Sequence, residues 1–340
     1  MRTVVVALLF AAILLGAACQ DDEEAPAPTT TPATPAGSAT ATGSATPATT
    51  AAPATATASS MATPEASVPV GKIAFSSRRD DNGEIYLLTS DGEVNLTNDP
   101  AEDIESDLSP DGNKVVFSSN RDGTYHIYVI EVDGSGLTKL TDDAAGDLSP
   151  RWSPDGKLIA FSRMGSLMVL DADGQNARQV TEAKPQTTAG PCEAGAFLGG
   201  WSPDGQQLTF YATRITEQLG QICTVNIDGS GLTVVASEPP ALHVEPSWSP
   251  DGEWIAYRFI EPGTDNYEIY KVRPDGTSRT NLTNTPGMDI EPDWSPDSQW
   301  IVFASYRTGD SDLYMMKPDG SNVARLTATL GKDSDPSWGP

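Results

Sequence analysis

The stretch Trp248-Ser-Pro-Asp-Gly-Glu-Trp-Ile-Ala-Tyr257 decides the fold. Within it, Ser249-Pro250-Asp251-Gly252 has the signature of a type I turn, with proline presetting φ at the second position and glycine at the fourth. Proline also ends the preceding strand, because it offers no N–H to a ladder. The alternation Ile255-x-Tyr257 then begins a new strand. The turn recurs as Ser109–Gly112, Ser153–Gly156, Ser202–Gly205 and Ser295–Ser298, at spacings of 44, 49, 47 and 46 residues. Self-similarity at a period of about 40–50 residues marks a solenoid or a propeller, and the content of each unit decides which.

Each unit reads as four short strands. The first ends in Trp152, Trp201, Trp248 or Trp294, with Leu108 as the odd member. The second follows the turn, the third carries Ile127-Tyr-Val, Ile269-Tyr-Lys-Val or Leu313-Tyr-Met-Met, and the fourth ends in Leu140-Thr141, Leu282-Thr283 or Leu326-Thr327. Asp-Gly at 133–134, 173–174, 228–229, 275–276 and 319–320 supplies the positive φ of a hairpin between third and fourth strands. Units with large apolar side chains on both faces must stack on like units, and a ring removes the exposed edges. Pro336-Ser337-Trp338 reads as a first strand and Gly71-Lys-Ile-Ala-Phe75 as a second, so together they rebuild one unit. The expected fold is all-β: a six-bladed β-propeller of four-stranded antiparallel blades over residues 70–340, closed by strands from both ends of the domain.

The repeat Trp-Ser-Pro-Asp-Gly-x-x-Ile-Ala-Phe, then Ile-Tyr, Asp-Gly and Leu-Thr, resembles the WD40-like propeller repeat of the TolB family. TolB proper carries an α/β domain before its propeller and works in the Tol–Pal system. Here that place holds a tether, so the resemblance implies a TolB-like lipoprotein without the Tol–Pal role. Prolyl-oligopeptidase-type proteases and oligogalacturonate lyases share the repeat. The former would need a hydrolase domain with a Gly-x-Ser-x-Gly elbow, and the latter resemble a histidine-rich metal site. His126 and His243 are the only imidazoles of the chain, so no enzyme, catalytic residue, metal site or cofactor is expected.

Upstream, residues 4–15 (VVVALLFAAILL) form an apolar run of 12 after Arg2. That is short of the about 20 residues of a spanning helix and suits a signal peptide, expected over 1–18. Gly16-Ala17-Ala18-Cys19 resembles a bacterial lipobox, with Gly16 where the usual leucine stands; Cys19 would then be acylated. An ordinary signal-peptidase site at the same bond is the alternative. From Ala25 to Pro69, 40 of 45 residues are Ala, Pro, Thr or Ser, a composition that cannot build a core. Residues 19–69 are expected to be a disordered, lipid-anchored tether displaying a monomer at the cell envelope.

The 340 residues carry 47 Asp+Glu against 21 Lys+Arg, a net charge of −26. Excess carboxylate repels phosphate backbones and argues against a nucleic-acid partner. Columns taken relative to the tryptophans locate the charge. Three positions before stand Glu105, Ser149, Leu198, Glu245, Glu291 and Asp335; five before stand Asp103, Asp147, Ala196, His243, Asp289 and Asp333. Arg79, Arg121, Arg214 and Arg307 follow the second-strand aromatic by four. Strand direction sets all of them at the face opposite the Ser-Pro-Asp-Gly turns. One reading pairs arginines with carboxylates of neighbouring blades to close the ring. The other uses the excess, eight acids over four arginines, to bind a cation or a basic segment of an envelope protein. A carbohydrate or metal-ligand receptor, or a degenerate enzyme, is the alternative function. His243 is expected to be a satisfied polar neighbour. Cys192 and Cys223 lie in one repeat of an exported chain and are expected to form a disulfide.

Overall fold

The computed structural model describes residues 71–184, 190–214 and 219–340. The expected leader, Cys19 and the tether lie outside the described residues. Six four-stranded antiparallel sheets form the blades. Blade I joins Asp333–Gly339 to Lys72–Ser77, Glu84–Thr89 and Gly92–Asn95. Blade II comprises Asp103–Leu108, Lys114–Ser119, His126–Glu131 and Thr138–Lys139, and blade III Asp147–Trp152, Leu158–Arg163, Ser166–Asp171 and Arg178–Gln179. Blade IV comprises Ala196–Trp201, Gln207–Arg214, Leu219–Asn226 and Thr233–Ala236. Blade V is Leu242–Trp248, Ile255–Ile260, Tyr267–Val272 and Thr280–Asn281, and blade VI Asp289–Trp294, Ile301–Ser305, Asp312–Met316 and Ala324–Arg325. Each blade's first strand touches those of both neighbours, blade I against VI and II included, so the ring is closed.

Local chemistry explains the recurring residues. In Ser109–Gly112 the Gly112 N–H donates to Ser109 O at 2.8 Å, while the Ser109 hydroxyl donates to Asp111 Oδ1 at 2.6 Å and accepts from Lys114 N at 2.9 Å. Serine and aspartate thus complete the turn that proline starts. The Leu-Thr ending has a different role. Thr97, Thr141, Thr181, Thr283 and Thr327 each accept the N–H of the second or third residue of a third strand, at 2.9–3.0 Å, as at Ile127 and Leu313. Their neighbours Leu96, Leu282 and Leu326 are buried between blades. A fourth strand of only two residues is held this way in four blades, and a short edge strand offers little template for unwanted pairing.

The core is six layers, one between each pair of blades. Second-strand residues alternate between neighbours: Val115 and Phe117 pack toward blade I, Val116 toward blade III. Each tryptophan fills the layer shared with the preceding blade, Trp152 against Ile127 and Val129, Trp338 against Val302 and Met315. Trp201 Nε1 donates to Arg151 O at 3.0 Å and Trp294 Nε1 to Ser247 O at 3.2 Å. In blade IV, Cys192 and Cys223 are joined as a disulfide with Cα atoms 6.0 Å apart.

Two outcomes are expected. Trp338→Ala lowers stability to chemical denaturation by about 3–5 kcal/mol, as for large core truncations generally, and removes an anchor of the closing blade. Cys192→Ser/Cys223→Ser costs about 3–4 kcal/mol by the chain-entropy relation for a separation of 31 residues; an unchanged denaturation midpoint on reduction, with a mass shift confirming it, would count against the disulfide's role.

Candidate functional site: the central channel

The first strands line the channel, and the pairing of each with its second strand carries an irregularity that a period-2 pattern does not show, marked in five of them by a left-handed non-glycine residue. In blade II, Ile104 pairs with Ser118 and Asp107 with Val116, so two residues oppose one: a β-bulge. The residue entering it, Glu105, has φ of +55°, and Ser149, Glu245, Glu291 and Asp335 match it at +54°, +54°, +55° and +49°. A left-handed backbone at a non-glycine residue costs on the order of 1 kcal/mol, so something must hold it. Here it is a latch between blades. Glu105 Oε2 accepts Ser149 N at 2.6 Å, Glu291 Oε2 accepts Asp335 N at 2.7 Å, and Glu245 Oε2 accepts Glu291 N at 3.2 Å. Blade IV departs: Gly199 lies so near Pro246 that a Cβ would fall 2.1 Å from its carbonyl oxygen.

A second ring stands one residue before the tryptophans, nearer the Ser-Pro-Asp-Gly face, and the sequence columns passed over it. Asp107 accepts Trp152 N at 2.7 Å and Ser337 Oγ at 2.9 Å; Asp293 accepts Trp338 N at 2.8 Å and Ser247 Oγ at 2.7 Å. Above it the channel opens into a funnel of about 410 Å³, walled by Trp152, Trp201, Trp248, Trp294 and Trp338 with the turn prolines, and floored by Asp107, Arg151 and Asp293. The signal was available, since the same 46-residue register that marked the other columns also marks this one.

The outermost ring is closed charge. Asp103, Asp147, Asp289 and Asp333 are at most 1% exposed. Arg121 Nη2 lies 2.9 Å from Asp103, Arg163 Nε 2.6 Å from Asp147, Arg307 Nη2 2.9 Å from Asp289 and Arg79 Nη2 3.0 Å from Asp333. Every pair lies within one blade, which corrects the expected pairing between neighbours. The guanidiniums also stack on third-strand tyrosines, Arg79 on Tyr86, Arg121 on Tyr128 and Arg307 on Tyr314. Arg163 escaped the sequence column because Met164-Gly165 forms a two-residue hairpin and brings the arginine two positions after the aromatic. In blade V this ring holds His243, which is 1% exposed. Neither ring nitrogen has a hydrogen-bond partner; it packs as an aromatic on Tyr257 and Phe259, and burial, then the charge of Arg279, lowers its pKa to about 4. The expectation of a satisfied polar neighbour is corrected accordingly.

The channel therefore gathers Glu105, Asp107, Glu245, Glu291, Asp293 and Asp335 against Arg151 and Arg258, of which Arg258 pairs with Glu245 at 2.6 Å. Each of these six acidic residues is only partly exposed. Burial pushes Glu105 up to about 7, aided by the charge of Asp335, and Asp107 up to about 6. Glu245, Asp293 and Asp335 are raised, and Glu291 well above the usual range, each chiefly by burial. Among the described residues no group of three or more His, Cys, Asp or Glu has the spacing of a metal site, and no helix is long and apolar enough to cross a membrane.

A family model described as the TolB beta propeller domain matches residues 48–185 and 163–340. An uncharacterized protein of Agrobacterium fabrum is 30% identical over 141 residues, 42% of this chain and 43% of that relative; the match thus spans less than half of either. The structure of TolB from Acinetobacter baumannii superposes with a TM-score of 0.67 at 19% identity, over 79% of this chain and 67% of that one. An oligogalacturonate lyase in complex with manganese gives 0.51 at 18% identity, over 76% and 74%. At such identities these likenesses show the fold alone.

The raised Glu105 makes a pH test. A carboxyl whose folded pKa exceeds its unfolded value stabilises the fold at low pH and loses that contribution as pH rises from about 4.3 toward 7. Relative to Glu105→Gln, whose amide oxygen can still accept Ser149 N, wild-type stability should fall by up to about 1.4 kcal/mol per pH unit in that window. The comparison cancels His243, which acts in the opposite sense. Parallel stability-versus-pH curves would contradict the assignment.

Proposed function

The chain belongs to the TolB β-propeller family, and from that premise we propose that it is an exported, non-catalytic binding module that takes a basic segment of an envelope protein into its central channel. One observation carries the reading: six carboxylates and two guanidiniums line a channel that opens through a tryptophan-walled funnel. A lysine or arginine side chain entering there passes the tryptophan and proline rim and meets carboxylates beneath, which attract a cation. Five of the six carboxylates are already ordered by accepting main-chain N–H groups, so little ordering cost falls on binding. The proposed interaction thus lies on the turn face and in the channel, and not at the opposite mouth, where the arginine pairs leave little free charge. The disulfide of blade IV agrees with export, since such bonds persist in oxidising compartments. A lipid on Cys19 and the tether would display the module. Against catalysis stand the two buried histidines, in blades II and V, although the fold itself serves a lyase elsewhere.

The test is equilibrium binding of a fluorescent arginine-containing peptide to wild type and to Glu105→Gln/Glu291→Gln, which preserves latch acceptors and removes two charges. Affinity should drop about tenfold or more in the variant, a loss of about 1.4 kcal/mol. It should fall with added salt, and fall again from pH 8 to pH 6 as the channel carboxyls take up protons. Equal affinity in both proteins at every salt concentration would sink the proposal.

A further inference from the structure

We propose that Arg151 is the resident counter-ion of the channel, a tethered guanidinium that holds the place of a free cation and so reserves the acidic wall for cations carried on a polypeptide.

The position before the tryptophan is filled around the ring by Asp107, Arg151, Gly200, Ser247, Asp293 and Ser337. Arg151 is the sole cation of this column. It belongs to blade III, on the part of the ring that supplies no carboxylate, and it lines the funnel floor. Its hydrogen bonds go to main-chain oxygens: Nε to Gly199 O at 3.2 Å and Nη1 to Pro150 O at 2.9 Å. Among the ion pairs of the described residues, none includes it. Two of the five donors of a guanidinium are thus spent on holding the side chain, and its charge is committed to no single acid.

That charge is nonetheless felt across the channel. It opposes the effect of burial on Glu105 and Asp107 of blade II, Asp293 of blade VI and Asp335 of blade I. A buried carboxylate without compensation must take up a proton or draw in a cation. A guanidinium anchored by carbonyls on the opposite wall, and shared among four acids, supplies the compensation without closing on any one of them. A free monovalent cation gains little by entering, because its place is filled. A cationic side chain on a peptide brings further contact with the tryptophans and outcompetes it. The inference rests on the channel reading above only in taking the channel as a place that favours cations.

The experiment uses the full chain and methylguanidinium chloride as probe, against sodium chloride at matched ionic strength. Arg151→Gln keeps donors for the two carbonyls and loses the charge; Arg151→Lys keeps the charge. Calorimetry should show methylguanidinium binding about tenfold tighter to Arg151→Gln than to wild type, with Arg151→Lys close to wild type. Carboxyl resonances of the Gln variant should titrate at higher pH than those of wild type, a change that a merely structural donor would not produce. Should Arg151→Gln fail to fold, Arg151→Ser, with the residue found at this position in blades V and I, takes its place. Equal probe affinity in the neutral variant and wild type, with superimposable carboxyl titrations, overturns the assignment; so does an Arg151→Lys protein that binds the probe as the neutral variant does. Peptide binding that fails while the methylguanidinium difference persists refutes the channel reading alone, and intact peptide binding without that difference refutes the role of Arg151 alone.

Discussion

Pairing of Lys72–Ser77 with Asp333–Gly339 is the contact on which the rest of the ring depends. Without it, five complete blades would present an apolar face at each end, and Ile73, Phe75 and Trp338 would lack the layer they share with blade VI. Bringing together strands some 256 residues apart, as Ser77 and Asp333 are, costs on the order of 5 kcal/mol in loop-closure entropy. The strand ladder, the Trp338 layer and the Ser77–Asp333–Arg79 cluster offset that cost together. The closing cluster uses the same Asp, Ser, Arg and Tyr side chains as blades II and VI. Closure therefore needs no special device; it reuses the parts that order the same turn in blades II and VI.

Ring geometry also explains why charge collects at the centre. First strands converge there, and side chains that leave the inter-blade layers can only point into the channel. The bulges turn this to use, since at three of them, Glu105, Glu245 and Glu291, the left-handed residue aims a carboxylate at the next blade's main chain. A glutamate in that place closes an otherwise unpaired N–H and leaves its second oxygen to the channel. Latch and site are the same atoms, so the strain of five left-handed residues is offset by blade cohesion and yields an ordered acidic wall.

The fold was legible because its signals are local. Ser-Pro-Asp-Gly specifies a turn by the chemistry of four adjacent residues, and the period then follows by counting. The site was legible only in part, for reasons that lie in particular residues. Glu105, Glu245, Glu291 and Asp335 stood out as a column, but the bulge that sends them into the channel is one extra residue per strand, which alternation does not register. Asp103 and Asp333 stood out equally, though a sequence cannot say that Arg121 and Arg79 fold back on their own blades. Asp107, Arg151 and Asp293 are harder to read because their column mixes Asp, Arg, Gly and Ser and so lacks the acidic uniformity of the other two, although the turn prolines and tryptophans mark the mouth they face.

The departures from sixfold symmetry are what give the channel a direction. Blades V, VI, I and II contribute every channel carboxylate; blades III and IV contribute Ser149, Arg151, Leu198 and Gly200 in the same two rings. A ring with an acid in every blade would concentrate repulsion that only protons or free ions could relieve. Confining the acids to one side lets a single arginine on the other act on four of them while Arg258 pairs with Glu245, and Gly199 in blade IV gives Arg151 a bare carbonyl to lean on. The irregular blade is thus a requirement of the site. Its missing bulge acid leaves the wall open where a guanidinium must be anchored, and the repeat is broken at the point where the channel chemistry needs it broken.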